Sequence, residues 1–154
     1  MPVIKCILQT NGVVPNLTIG VGLDSFSTKT FLLRKTAQDA QLEERCICYE
    51  VVRGFGSKLT RVRIGQCQVT LTSKYSKHLI TLPNVTTVDC ITEPVKLSAQ
   101  PKTTDRKLRW TTEPGEVLEV QLLLGADYLA FALHYVIPVH ISDHGRTEAL
   151  VLLW

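Results

Sequence analysis

The amino-acid sequence predicts a mainly β fold, closed or sandwich-like, with one or two short helices. Two observations carry that expectation. Apolar residues alternate with polar or bare ones over most of the chain, as Leu17, Ile19, Val21 and Leu23 do with Thr18, Gly20 and Gly22, and this spacing lays one face of a strand on a core. The alternating runs are short and are separated by Gly, Asn and Pro turn signals, a pattern of many short strands. A chain of 154 residues is long enough to bury a core without disulfide or metal staples. No internal repeat or low-complexity tract divides it, so a single domain over residues 1–154 is expected.

The first strand is expected at Val3 to Leu8, with a turn at Asn11-Gly12 after it. Leu17 to Leu23 is the second strand. Its glycine face predicts a second backbone passing close by, and it runs straight into Asp24. Ser27 or Thr28 can cap a helix from about Lys29 to Leu42, with Leu33, Ala37 and Ala40 as its apolar stripe. Cys46 to Arg53 returns to strand, and Gly54-Phe55-Gly56 breaks it. Leu59 to Thr72 contains a parity switch: Val62 and Ile64 are apolar on even positions, Cys67, Val69 and Leu71 on odd ones. A one-residue slip would send one set to solvent, so a bulge or sharp bend is expected at Gly65. Leu79 to Leu82 and Val85 to Ile91 are short strands either side of Pro83-Asn84. Residues 94–114 are polar and proline-bearing and read as a long loop or insertion. Leu118, Val120, Leu122 and Leu124 form a strand that ends in Gly125. Ala126 to Leu133 suits a short helix, and Tyr135 to Ile141 and Ala149 to Trp154 are closing strands.

Composition points away from several functions. The net charge is 17 − 14 = +3, too mild to single out nucleic acid or an anionic membrane as partner. Arg61 and Arg63 alternate with Val62 and Ile64 as the wet face of a strand. Lys102, Arg106, Lys107 and Arg109 sit in a polar stretch. Only 6% of residues are aromatic, which supplies no stacking platform for single-stranded nucleic acid. No apolar run approaches membrane-spanning length. Met1 to Leu8 carries Lys5 and is too short for the apolar segment of a signal peptide. The five cysteines are odd in number and lack zinc-site spacing; structural thiols in a reducing, cytoplasmic compartment are expected. His140 and His144 would meet on a helix, but Pro138 and Gly145 argue for strand and turn there. No metal or other cofactor is expected.

Two segments stand out chemically: Leu23-Asp24-Ser25-Phe26-Ser27 and Leu122-Leu123-Leu124-Gly125-Ala126-Asp127-Tyr128. Each follows an apolar strand and ends in a turn before an expected helix. A buried strand that delivers an aspartate to a turn is costly unless the carboxylate finds partners. Taken alone, Asp24-Ser25 reads as a turn or a helix cap, Asp127 as the cap of the helix behind it, and Tyr128 and Phe131 as core.

In this order the segments resemble the retropepsin-like aspartic proteases, most closely the peptidase of the Pao/BEL retrotransposons. That family has an apolar strand, then Asp-Ser-Gly-Ser and a helix, then glycines where a flap hairpin belongs, and later an apolar strand ending in Ile-Gly-Ala-Asp-Tyr. The matching stretches are Val21 to Leu32, Gly54-Phe55-Gly56, and Leu123-Leu124-Gly125-Ala126-Asp127-Tyr128-Leu129. They span about Leu17 to Leu133, and the last is the most specific. The resemblance implies a retropepsin-like closed β-barrel, the acid protease fold, and an aspartic endopeptidase that processes a retrotransposon polyprotein. By it, Asp24 is the catalytic aspartate and Ser25 the hydroxyl that braces the active-site loop, which Phe26 and Ser27 continue. Gly54, Phe55 and Gly56 belong to the flap over the substrate. Gly125 packs behind the loop, with Ala126 and Asp127 beside it.

The chemistry fits that assignment. Peptide hydrolysis without a metal needs one group to activate water and one to protonate the leaving nitrogen. Two carboxylates held close cannot both ionise cheaply, so one keeps its proton and the pair supplies both functions. The chain has a single Asp-Ser motif, since Asp39, Asp89, Asp105 and Asp143 lack the strand-and-turn setting. The second carboxylate must come from a second copy, in a twofold homodimer. One departure is large: the family has glycine where this chain has Phe26. Glycine lets the backbone turn tightly and lets substrate come close. Phe26 leaves three readings open: a decayed, inactive binding or assembly module on the same fold, an active enzyme with an adapted loop, or a ring that walls the substrate site.

Overall fold

The structure is a computed structural model that describes residues 3–53, 58–72, 79–92, 95–96, 115–133, 136–140 and 147–152. Strand β1 (Val3–Leu8) and strand β2 (Leu17–Leu23) pair antiparallel, from Val3 opposite Gly22 to Leu8 opposite Leu17. Between them Gly12 takes a φ of 91°, and Asn11 Oδ1 accepts the Val13 N–H at 3.0 Å. Strand β3 (Phe31–Leu33) runs directly into helix α1 (Arg34–Asp39). Strands β4 (Arg45–Arg53) and β5 (Leu59–Thr72) form an antiparallel hairpin, and β6 (Ile80–Val88) returns along the second half of β5. Short strands β7 (Val95–Lys96) and β8 (Val117–Leu118) pair with each other. Strand β9 (Val120–Leu124) leads into helix α2 (Ala126–Leu133). Strands β10 (Val136–His140) and β11 (Thr147–Leu152) make a separate antiparallel pair.

Seven strands form one sheet in the order β1-β2-β9-β3-β6-β5-β4, and β1 also bonds to β5 through Ile7–Thr72 and Leu8–Leu71. The sheet therefore closes into a ring, with β4 hanging outside it on β5. The molecule is mainly β with two short helices among the described residues, as the period-two pattern implies. Inside the ring, Leu8, Ile19, Val21, Leu32, Val69 and Leu122 are fully buried. The expected backbone neighbour of the β2 glycines is β9: a Cβ on Gly20 would overlap the Glu119 carbonyl oxygen. No helix among the described residues is long and apolar enough to cross a membrane.

Several elements differ from the sequence expectation, among them the expected strand from Leu118 to Leu124, which is divided between β8 and β9. The helix expected over Lys29 to Leu42 is confined to Arg34–Asp39. Phe31 to Leu33 is claimed by β6 on one side and β9 on the other, and long-range pairing outweighs the local helical stripe. Leu33 is the N-cap residue, with no side-chain cap bond; Ser27 instead donates to the Lys29 carbonyl at 2.7 Å. The bulge expected at Gly65 lies in the strands beside it, because β5 itself runs unbroken. Cys46 and Ile47 stand together opposite Gly65, with Cys46 at a φ of 52°. Pro83-Asn84 stands opposite Gln68, and β6 continues through it as one strand where two were expected. The parity switch has a different cause. Gly65, Cys67, Val69 and Leu71 face the core, whereas Val62 and Ile64 are half-buried on the other face. Of the expected 94–114 loop, Val95 and Lys96 are strand and the rest lies outside the described residues.

The thiols divide sharply. Cys6 and Cys67 are buried, whereas Cys46, Cys48 and Cys90 are exposed. Burial pushes the Cys6 thiol far above its ordinary range. It pushes Cys67 up to about 11, with nearby Glu44 adding to the rise. Thiolate is the reactive form. Iodoacetamide at pH 8 is therefore expected to alkylate Cys46, Cys48 and Cys90 in the native protein, and Cys6 and Cys67 only after denaturation. Peptide mass mapping checks this, and native labelling of Cys6 would contradict the packing.

Candidate active site

Asp24 leaves the end of β2, where Leu23 lies beside Leu124 of the parallel strand β9. Its N–H donates to the Leu124 carbonyl at 3.0 Å, which holds it next to the turn at Gly125. The residue is half-buried. Its Oδ1 accepts the Phe26 N–H at 2.9 Å, closing a tight turn of the type Asp commonly forms.

The rest of the loop is tied to the junction of β9 and α2. The Ala126 N–H donates to the Ser27 carbonyl at 2.7 Å. Thr30 is buried and is the centre of this bracing. Its N–H donates to Asp127 Oδ2 at 3.1 Å, and its hydroxyl donates to Asp127 Oδ1 at 2.6 Å. The same hydroxyl accepts the Gly125 N–H at 3.0 Å. Asp127 also accepts the Tyr128 N–H at 3.0 Å, so its carboxylate serves the start of its own helix and the loop together. Gly125 has no room for a side chain. A Cβ there would overlap the Lys29 carbonyl and stand 2.9 Å from the Ser27 oxygen. Gly125, Ala126 and Asp127 thus all contact the segment that follows Asp24. Thr30 carried no signal in the sequence, where it is one more polar residue before an apolar run.

Two other loop residues face outward. Ser25 is exposed and makes no side-chain hydrogen bond to any described residue; Ser27 and Thr30 supply the bracing hydroxyls within one chain. Phe26 is 96% exposed. Among the described residues only Gln41 and Cys46 are non-glycine residues at positive φ. Phe26 therefore sits in ordinary backbone space, and its loop does not need glycine's conformational freedom. Gly54, Phe55 and Gly56 lie outside the described residues, although the strands of the β4–β5 hairpin on either side are described.

Register shows which residues share a face with Gly22, two before Asp24. Gly22 is opposite Leu123, Leu123 opposite Phe31, and Phe31 opposite Thr86. Cross-strand partners point to the same side of a sheet, and residues two apart on a strand do too. The side of the sheet that carries Gly22 therefore continues through Leu123, Phe31 and Thr86. On that side lies a groove of about 500 Å³, lined among others by Lys29, Phe31, Val62, Ile64, Thr86 and Val88. Its floor is apolar, and Glu50, Arg61, Arg63 and Asp89 add charge. Asp24, one residue past the end of β2, is not among the residues that line it. Among the described residues no group of three His, Cys, Asp or Glu side chains could hold a metal ion.

The chain matches no protein-family model, and no curated protein matches its sequence.

Proposed function

We propose that the chain is an aspartic endopeptidase of the retropepsin-like kind, active as a homodimer and suited to processing a retrotransposon polyprotein in the cytoplasm. The observation that carries this reading is the bracing of the Asp24 loop from behind by Gly125, Ala126 and Asp127. A loop fixed at both ends on a rigid strand–helix junction can hold a carboxylate to the tolerance catalysis needs. The ring-like sheet supports a barrel of the acid protease type. An apolar-floored groove of about 500 Å³ on the Gly22 side of the sheet, walled by residues of the β4–β5 hairpin, supports binding of an extended peptide with that hairpin as its flap.

In the mechanism, the Asp24 carboxylate of one copy takes a proton from water as the oxygen attacks the peptide carbonyl. The protonated Asp24 carboxyl of the other copy hydrogen-bonds the carbonyl oxygen; as the tetrahedral adduct collapses, the C–N bond breaks and the proton taken from water passes to the leaving nitrogen. No cofactor takes part.

A second reading is a dimeric binding or assembly module without activity, and the fully exposed ring of Phe26 beside Asp24 favours it. A peptide library assayed at acidic and neutral pH separates the two. The wild-type chain is expected to cleave, with specific activity that falls on dilution below the dimer Kd. Phe26→Gly is expected to shift KM and not to switch activity on. Full activity of a proven monomer refutes the shared-carboxylate mechanism. A silent wild type beside a cleaving Phe26→Gly variant establishes the second reading.

A further inference from the structure

Arg34 is buried at the first position of α1. A guanidinium out of water is costly unless its donors are all met, and this one has partners on three separate segments. Nε donates to Glu44 Oε1 at 3.4 Å, ahead of β4. Nη2 donates to the Arg63 carbonyl of β5 at 2.6 Å. Nη1 pairs with the Asp89 carboxylate just past β6. Glu44 Oε1 also accepts the Thr87 hydroxyl at 2.6 Å and lies 3.5 Å from Arg63 Nη1. The Glu44 side chain covers Gly65 so closely that a Cβ there would collide with it.

This cluster occupies one place in the fold. The register of β5 with β6 begins at Gly65–Thr87. Residues 59–64 of β5 pair with β4 alone among the described strands. The hairpin therefore projects beyond the ring, and Arg34 and Glu44 sit at its root. Arg63 and Asp89, both held by Arg34, line the groove, whereas Arg34 does not.

We propose that Arg34, with Glu44, is a positioning residue that fixes the β4–β5 hairpin at a set angle beside the groove and thereby sets how tightly a peptide is held. Among the described hairpin residues, Ile47, Tyr49, Val51 and Leu59 are exposed and do little to keep it in place. The proposal rests on the protease reading only where it concerns a peptide substrate.

Two variants test it. Arg34→Lys keeps the charge but replaces the planar fork with a point donor that cannot reach all three segments. Thr87→Val keeps the volume and removes only the hydroxyl contact to Glu44. Amide hydrogen exchange on the full chain is expected to speed up about tenfold in β4 and residues 59–64 in both variants, with β1 and β2 unchanged. Peptide cleavage is expected to show KM raised about tenfold with kcat within about twofold. Exchange that quickens equally in β1 and β2, or does not quicken in the hairpin, overturns the proposal. A wild type that cleaves no peptide overturns the protease reading instead, and the exchange result still decides the role of Arg34.

Discussion

Asp24→Asn is expected to lower peptide cleavage by about 10³-fold or more, the scale of a lost general acid–base pair, with no change in fold. The two halves of that expectation have separate causes. Asp24 is half-buried and its described side-chain contact is the hydrogen bond its Oδ1 accepts from the Phe26 N–H. Asparagine presents an oxygen of the same size at the same place, so the turn survives, and the backbone bond to Leu124 does not involve the side chain at all. What asparagine cannot do is accept and return a proton. A thermal melt within about 2 °C of wild type, beside lost cleavage, is the expected pair of results, since so small a shift is under about 1 kcal/mol for a chain of this size. Mixing gives a sharper test of where the second carboxylate comes from. When equal amounts of wild type and Asp24→Asn exchange subunits freely, about a quarter of the dimers carry two aspartates. Activity at about a quarter of that of the same total amount of wild type places one carboxylate in each copy. Activity at about half means that each copy works alone. A variant that cleaves like wild type removes Asp24 from the chemistry.

The fold was legible wherever the local pattern and the final contacts agree. The limits of β1 and β2 follow from alternation alone, because each lays one face along most of its length on the ring's interior. Phe31 to Leu33 was illegible, since three residues carry too little pattern to compete with a helical stripe that includes Leu33, Ala37 and Ala40. Their strand identity comes from β6 and β9, far along the chain. The parity switch in β5 is legible, but the bulge it suggests at Gly65 is not in β5, which runs unbroken. The core contact moves from one face to the groove on the other without a slip, and the extra residues sit in β4 and β6. The same division holds at the site. Asp24 and Gly125 were visible because each ends an apolar strand at a turn. Thr30 and Arg34 were not. Thr30 is buried by Asp127, 97 residues away, and an arginine opening a helix reads as surface until Glu44, Arg63 and Asp89 are brought to it.

Gly125→Ala is expected to be the most destabilising single methyl that can be added to the candidate site. Two opposing effects decide its size. Gly125 is not in the left-handed region, so alanine suits the backbone and, by stiffening the unfolded chain, would stabilise by about 0.4–1 kcal/mol if there were space. There is none. The new Cβ would overlap the Lys29 carbonyl carbon and oxygen and crowd the Ser27 oxygen, and these are backbone atoms with no rotamer to yield. Relief requires the whole Ser27–Thr30 segment to move. That movement would stretch the Ala126 N–H bond to Ser27 and the Gly125 N–H bond to Thr30. Overpacking costs about 1–3 kcal/mol and each lost hydrogen bond about 1 kcal/mol, so the steric side wins by roughly 3 kcal/mol, a fall in Tm of about 10 °C. Gly12→Ala is the matching control. It has open space around it but a φ of 91°, so its cost of about 1 kcal/mol is purely conformational, and it lies away from the Asp24 loop. If the loop is what the Gly125 turn exists to hold, Gly125→Ala loses cleavage at temperatures where it is still folded, whereas Gly12→Ala keeps it. A Gly125→Ala variant that melts and cleaves like wild type would mean that the turn and the Asp24 loop do not touch, and the case for a braced catalytic carboxylate would go with that contact.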